Sequence, residues 1–273
     1  MKNLLAMSAV ISAFLPSITR AQDDPSLLSA FFGLDESRQI ALRTALVCQG
    51  ISGRDGMPVI FSHEVDPETL DPEDFQVTLA SGEIGSVGCV TLRPADDVGE
   101  LRTALIVGSF GSPQDPPVSV EIVGDVTSLD GNLTFTGKTA PVIPLADGPT
   151  IILAEEVPPN YWSLGADGDC PRPKLRGIVR AVWVGGITKP GGDEIDETEM
   201  ALYRVTLRKP DGAVVEVSPM AVGDLGDNDN NHELCLDVEG TPLAVSFPAG
   251  FLTDPNEDIN PETSATVSPA QVD

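Results

Sequence analysis

Residues 57–82, MPVIFSHEVDPETLDPEDFQVTLASG, contain two apolar runs separated by an acidic turn. The first run ends near Phe61 and the second begins at Phe75, and an Asp-Pro pair occurs twice between them. Asp favours turns because its side chain accepts hydrogen bonds from nearby backbone, and Pro favours them because its φ angle is fixed. Apolar and polar residues alternate in the second run, which is typical of a half-buried strand. The segment therefore predicts a strand, a turn and a second strand.

The same pattern of short Val, Ile, Leu and Thr runs between turn residues recurs along the chain, which contains 26 Gly and 24 Pro and only 5% aromatic residues. It predicts an all-β protein. About 250 residues after a leader suit two domains, and we expect two tandem β-sandwich domains at residues 22–145 and 146–273. The Pro-Asp-Gly at residues 210–212 predicts a hairpin in the second domain. Residues 25–34, PSLLSAFFGL, predict a short amphipathic helix, and residues 44–50, TALVCQG, predict a strand.

The N-terminus, MKNLLAMSAVISAFLPSITRAQDD, combines Lys2, an apolar run and small residues before Ala21. This is the pattern of a secretory signal at residues 1–21. The run is too short to span a bilayer, no later segment is longer, and Gln22 stands where a lipoprotein would have Cys. We therefore expect a periplasmic or secreted protein without a transmembrane segment. Removing Lys2 and Arg20 would change the net charge of −26 to −28, which disfavours nucleic acid as a partner. The acidity indicates either solubility or an affinity for cations.

The four cysteines are Cys48, Cys89, Cys170 and Cys235. An even number in an exported protein indicates disulfides, and four cysteines allow three pairings. Pairing Cys48 with Cys89 and Cys170 with Cys235 places one bridge in each domain. Zinc binding is the alternative, but the sequence lacks the CxxC spacing that zinc sites use.

The opening segment also resembles bacterial immunoglobulin-like (Big) domains, through the Phe-Ser at residues 61–62, the Val-Asp-Pro-x-Thr-Leu at residues 65–70 and the Asp-Phe-x-Val at residues 74–77. Residues 118–132, VSVEIVGDVTSLDGN, are similar to the closing strand of that family. The resemblance covers roughly residues 45–140; the second domain resembles no family we recognise. It implies an immunoglobulin-like sandwich used in exported proteins as a spacer, adhesive or accessory module, with no catalytic residues.

The loop at residues 223–235, GDLGDNDNNHELC, is the candidate metal site. Asp227, Asp229 and Asn231 alternate as in the start of an EF-hand, and hard oxygen ligands suit calcium. His232 stands where that motif needs Gly, and Val238 where it needs Glu, so the loop is not an EF-hand. A calcium site of another type would use Asp224, Asp227, Asp229 and Asn231. The alternative is a solvated loop whose side chains cap turns.

Recognised catalytic patterns are missing from the sequence. The chain has two histidines, no GxSxG or HExxH motif, no nucleotide-binding glycine motif and no cysteine left over as a nucleophile. Tyr161 and Trp162 are adjacent aromatic residues, and they predict either packing or a surface that binds a sugar or other ligand. We expect an exported non-catalytic binding, adhesion or scaffold protein whose partner is a protein or glycan at the cell exterior. The alternative is an exported hydrolase or carbohydrate-binding protein that uses acidic loops of the second domain.

Overall fold

The computed structural model describes residues 24–35, 48, 55–162, 170–226 and 229–269. Strands dominate, in two sheets that divide the chain between residues 143 and 151. The predicted leader at residues 1–21 lies outside the described residues, as do Asp227 and, except for Cys48, the predicted strand at residues 44–50. No helix in the described part of the chain has the length and hydropathy of a membrane span.

The first sheet is closed, with the strand order β1-β2-β5-β4-β3-β6-β7. β1 pairs antiparallel with β2 and parallel with β7, and this second pairing closes the sheet. We call this sheet and its loops the first unit. Its strands are β1 (Leu27–Phe31), β2 (Asp55–Phe61), β3 (Phe75–Leu79), β4 (Ile84–Thr91), β5 (Thr103–Ser109), β6 (Pro117–Ile122) and β7 (Thr139–Ile143).

The opening segment forms the strand, turn and strand that its pattern predicts, as β2 and β3. Phe75, Val77 and Leu79 of β3 are buried while the residues between them are half-buried, so the alternation places one face on the core. The acidic turn folds into two short 3₁₀ segments. Asp66 and Asp71 cap them by accepting hydrogen bonds from backbone N–H groups two residues later. These carboxylates therefore stabilise the turn.

The helix predicted at residues 25–34 is wrong, because Leu27–Phe31 is the strand β1. Ala30 and Phe31 are adjacent in sequence and both are fully buried. A strand that pairs on both edges and is covered on both faces has no polar side, so its sequence does not alternate. An unbroken apolar run of this length does not distinguish a strand from a helix.

The second sheet has the order β11-β10-β14-β15-β8-β9-β13-β12. Strands β8 and β15, which come first and last along the chain in this sheet, pair in parallel. We call it and its loops the second unit. The predicted hairpin is present as β10 and β11. The elements are β8 (Ile151–Glu156), β9 (Gly177–Trp183), α1 (Glu197–Met200), β10 (Arg204–Arg208), β11 (Val214–Val217), β12 (Ala221–Gly223), β13 (Asn231–Leu236), β14 (Thr241–Phe247) and β15 (Thr263–Ser268).

Trp183, Tyr203 and His232 form a buried chain of hydrogen bonds in the core of the second unit. The Trp183 indole N–H donates to Tyr203 Oη at 2.9 Å, and Tyr203 Oη lies 2.7 Å from His232 Nδ1. Because the tyrosine oxygen already accepts from the indole, its own proton is available for Nδ1, which makes the imidazole the acceptor. Burial lowers the pKa of His232 to about 3, so this histidine is neutral at physiological pH.

One disulfide lies in each half of the chain. Cys48 is bonded to Cys89, and Cys170 to Cys235. The second bridge is fully buried, and it packs with Val157 and Ile178 at one end of β9. Each bridge fixes a loop within its own half and does not cross to the other half.

Candidate functional site

A buried network of charged side chains joins the two units, and Arg180 on β9 is at its centre. Its guanidinium lies 2.9 Å from Glu100 Oε1, 3.0 Å from Glu233 Oε1 and 3.4 Å from Glu155 Oε1. It also donates to the Gly99 carbonyl. Glu100 and Gly99 belong to the loop between β4 and β5 of the first unit, whereas Glu155 and Glu233 belong to the second. A single side chain therefore links both units.

A second arginine adds another link across the junction. Arg102 Nη2 lies 3.1 and 3.2 Å from the two oxygens of Glu155, and its Nη1 donates to the Ser62 carbonyl at 3.1 Å. Beside these charges is a small apolar contact between Ile60 of β2 and the pair Leu153 and Val182. Charged and apolar groups thus meet in one interface.

Negative charge exceeds positive charge in this network. Arg102 and Arg180 face four carboxylates, those of Glu100, Glu155, Glu233 and Asp224. Buried charges are costly unless they are matched. Burial raises the pKa of Glu100 to about 11 against the opposing charge of Arg180, and Asp229 and Asp224 raise it further. The site therefore favours either a proton or a cation at this carboxyl.

Glu100 is the buried member of an acidic cluster with Asp97 and Asp224. One oxygen of each of the three carboxylates lies within 4.8 Å of the others. Asp97 is exposed, Glu100 is only 1% exposed, and Asp224 is intermediate. Asp97 and Glu100 come from the first unit, and Asp224 directly follows β12 of the second. This group of residues could hold a metal ion.

The cluster opens into a cavity of about 380 Å³. Tyr161 and Trp162, the aromatic pair singled out in the sequence, lie in its wall beside Asn160 and Val98. Both side chains also pack against the apolar cluster that contains the disulfide of the second unit, and the Trp162 indole donates to the Val157 carbonyl at 2.9 Å. The aromatic pair therefore packs against the structure on one side and borders the acidic cavity on the other.

Of the four residues predicted to bind calcium, the structure describes Asp224, Asp229 and Asn231. Asp224 joins the cluster, but Asp229 accepts hydrogen bonds from the backbone and side-chain amides of Asn231. Asp229 and Asn231 are both buried, at the start of β13. Asp97 and Glu100 were missed because they lie in the other half of the sequence, in a turn that resembles many other acidic turns of this chain.

Neither histidine lies on the surface. His63 is 7% exposed, and its Nδ1 lies 2.9 Å from Ser62 Oγ. His232 is hydrogen-bonded to Tyr203 in the core of the second unit. The acidic cluster contains carboxylates alone.

No protein-family model matches the chain, and no curated protein matches it. Among solved structures, the N-terminal part of the bacterial S-layer protein SbsC is 13% identical, covering 90% of this chain and 44% of that one, with a TM-score of 0.31. Domains 1–6 of SbsC are 12% identical, covering 92% and 26%, with a TM-score of 0.30. Native alpha-2-macroglobulin from Escherichia coli, domains MG0-NIE-MG1, is 13% identical, covering 90% and 72%, with a TM-score of 0.27. This chain spans less than half the length of either SbsC fragment, and superpositions this loose carry no argument about function.

Proposed function

We propose that this chain is an exported, non-catalytic binding or scaffold protein in which two immunoglobulin-like domains, residues 22–145 and 146–273, are held in one fixed orientation. The observation that carries this proposal is the buried ionic network centred on Arg180, which joins the domains through side chains of both. Domains usually move relative to one another unless their interface is large and hydrophobic, and here buried charge-assisted contacts, which depend on direction, restrict that motion instead. A rigid pair suits a module that presents a surface at a defined angle.

The strand orders support the immunoglobulin-like part of the proposal. With its strands lettered A to G in chain order, the first sheet has the order A-B-E-D-C-F-G, which corresponds to the A-B-E-D and C-F-G sheets of an immunoglobulin constant-type domain joined by pairing of C with D. The second sheet reads in the same way with one additional strand, β11, next to the C strand β10. The resemblance of residues 45–140 to Big domains agrees with this order.

Two features support export. The disulfides Cys48–Cys89 and Cys170–Cys235 require an oxidising compartment to persist, and the N-terminal sequence has the pattern of a secretory signal. We place the protein in the periplasm or the medium, where its partner is a protein or glycan of the cell exterior.

The carboxyl pair of Glu100 and Asp224 raises the alternative of an exported hydrolase, since paired carboxylates cleave glycosides. A general acid must reach the substrate oxygen within hydrogen-bond distance. Glu100 is 1% exposed, and one of its oxygens is held by Arg180. This geometry favours a structural use of the pair, while the cavity wall of Tyr161 and Trp162 leaves room for carbohydrate binding.

The test uses the exported chain with its disulfides intact. We expect saturable co-sedimentation with cell-envelope fragments and no turnover of a panel of glycoside, ester and peptide substrates. Enzymatic removal of glycans or of proteins from the fragments before the assay identifies the class of partner. Turnover that disappears in Glu100→Gln but persists in Glu216→Gln, an exposed acid on the edge strand β11, would establish the hydrolase instead.

A further inference from the structure

The acidic cluster at the junction has the dimensions of a single cation site. Calcium takes oxygen ligands at about 2.4 Å, so two ligands of one ion lie at most about 4.8 Å apart. The ligand oxygens of Asp97, Glu100 and Asp224 meet this limit without any movement. All three groups are hard oxygen donors, which suit calcium; zinc favours sites with nitrogen and sulfur ligands.

A second observation, independent of the clustering, points to a ligand. Glu100 is 1% exposed, and while Oε1 contacts Arg180, its other oxygen Oε2 is buried and no donor in the described part of the chain reaches it. Buried polar atoms in folded proteins almost always have a partner. A cation or a donor group beside Glu100 would satisfy this oxygen.

The charges of the network around the cluster also favour a cation. Two guanidinium groups lie among the carboxylates of Glu100, Glu155, Glu233 and Asp224, and the buried carboxylate of Asp229 also acts on Glu100, so negative charge is in excess among the described residues. Asp97 adds a further carboxylate at the mouth of the cavity. A divalent cation would offset part of this excess.

We propose that Asp97, Glu100 and Asp224 bind one calcium ion that bridges the two units. Calcium usually takes six to eight oxygens, and the cavity of about 380 Å³ leaves room for water molecules beside the three carboxylates. Because Asp97 and Glu100 belong to the first unit and Asp224 to the second, the ion ties the units together. The inference deepens the proposed function, on which it rests for the exterior compartment, where modules bind calcium with a Kd of about 10⁻⁴ to 10⁻³ M.

The test is a titration of the exported, chelator-treated chain with calcium and with terbium, which replaces calcium and emits when a nearby indole or phenol is excited. Trp162 and Tyr161 line the same cavity, so bound terbium should give sensitised emission that calcium displaces. We expect one calcium per chain by calorimetry. A calcium concentration one hundred times the Kd should raise Tm by about 5–10 °C.

Three variants assign the site. Asp224→Asn and the exposed-site variant Asp97→Asn should each weaken calcium binding at least tenfold, while Glu216→Gln, which makes the same change in charge outside the cavity, should not alter it. Near-ultraviolet circular dichroism checks that each variant is folded. Because Asp97 is exposed, Asp97→Asn should fold and remain interpretable even if Asp224→Asn does not fold.

Absence of binding up to 10 mM calcium would overturn the inference, as would equal affinity in Asp97→Asn and Glu216→Gln. Loss of binding in Asp229→Asn together with full binding in Asp97→Asn would place the ion in the loop at residues 223–235 and would also overturn it. These outcomes leave the scaffold proposal standing, since only substrate turnover or failure to bind the envelope bears on that proposal.

Discussion

Replacing Arg180 with leucine tests whether the buried network holds the two units together. The Arg180 side chain is 5% exposed and pairs with Glu100, Glu155 and Glu233 at 2.9 to 3.4 Å. Leucine retains part of the apolar stem but removes the charge and all five N–H donors. Removing one partner of a buried ion pair costs about 3–5 kcal/mol because the other charge is left uncompensated.

The total should stay within that range although three pairs are broken. The three contacts share one guanidinium, so their energies do not add. A carboxylate that loses its counter-charge takes up a proton, which limits the cost to about 1.4 kcal/mol per unit of pKa shift. We therefore expect Arg180→Leu to lower the free energy of unfolding by about 3–5 kcal/mol at pH 7. The loss should be smaller at pH 5, where protonation of the orphaned carboxyls is easier.

The assay is urea unfolding of the oxidised chain, followed by tryptophan fluorescence. Arg208→Leu on β10 is the matched control because the same change is made at an exposed arginine, and it should shift stability by less than about 0.5 kcal/mol. Adding Glu233→Gln to Arg180→Leu should restore part of the loss, because one uncompensated carboxylate is then removed. A loss under about 1 kcal/mol, or equal losses in Arg180→Leu and Arg208→Leu, would refute the reasoning.

Three further predictions concern the second core and the loop at the junction. Tyr203→Phe should cost about 2–4 kcal/mol in urea unfolding, since the buried indole N–H and His232 Nδ1 both lose their partner. The pKa of His232 is lowered to about 3 in the folded protein, so unfolding exposes a group that binds protons below about pH 6.5. The free energy of unfolding should therefore fall by up to about 1.4 kcal/mol per pH unit between pH 6.5 and pH 5. The fall should be smaller in His232→Gln. Gly99→Ala should cost about 1–3 kcal/mol from its φ of +88°. It should cost more than Gly82→Ala in the same thermal melt, because Gly82 has a φ of +89° with open space around it, whereas a Cβ at Gly99 would meet Arg180 at 3.2 Å.

The strands could be predicted from the sequence where one face of the strand meets the core and the other does not. β3 alternates in this way, and the Pro-Asp-Gly between β10 and β11 identifies a hairpin because its turn chemistry is local. β1 was mistaken for a helix because it is covered on both faces, and burial on both faces removes the period-two signal. Local patterns report only local geometry.

The candidate site could be predicted only in part, for a related reason. Asp224, Tyr161 and Trp162 were singled out by composition, but Asp97 and Glu100 approach them only when the two sheets meet. Nothing in the sequence around Arg180 indicates burial, because most charged residues face solvent. A contact between distant segments that depends on the docking of two units has no local signature.

The polar character of the junction has a consequence for what calcium would do there. Ile60, Leu153 and Val182 form an apolar contact between the units, and an apolar patch tolerates sliding because its contacts have no preferred direction. The hydrogen bond of Arg180 to Gly99 and its ion pair with Glu100 depend on direction, so they favour one orientation of the units. A calcium ion held by carboxylates of both units would also restrict the orientation of one unit relative to the other, because its distances to the ligands are fixed within tenths of an ångström. Removal of calcium should therefore widen the range of angles between the two units before either sheet loses its hydrogen bonds.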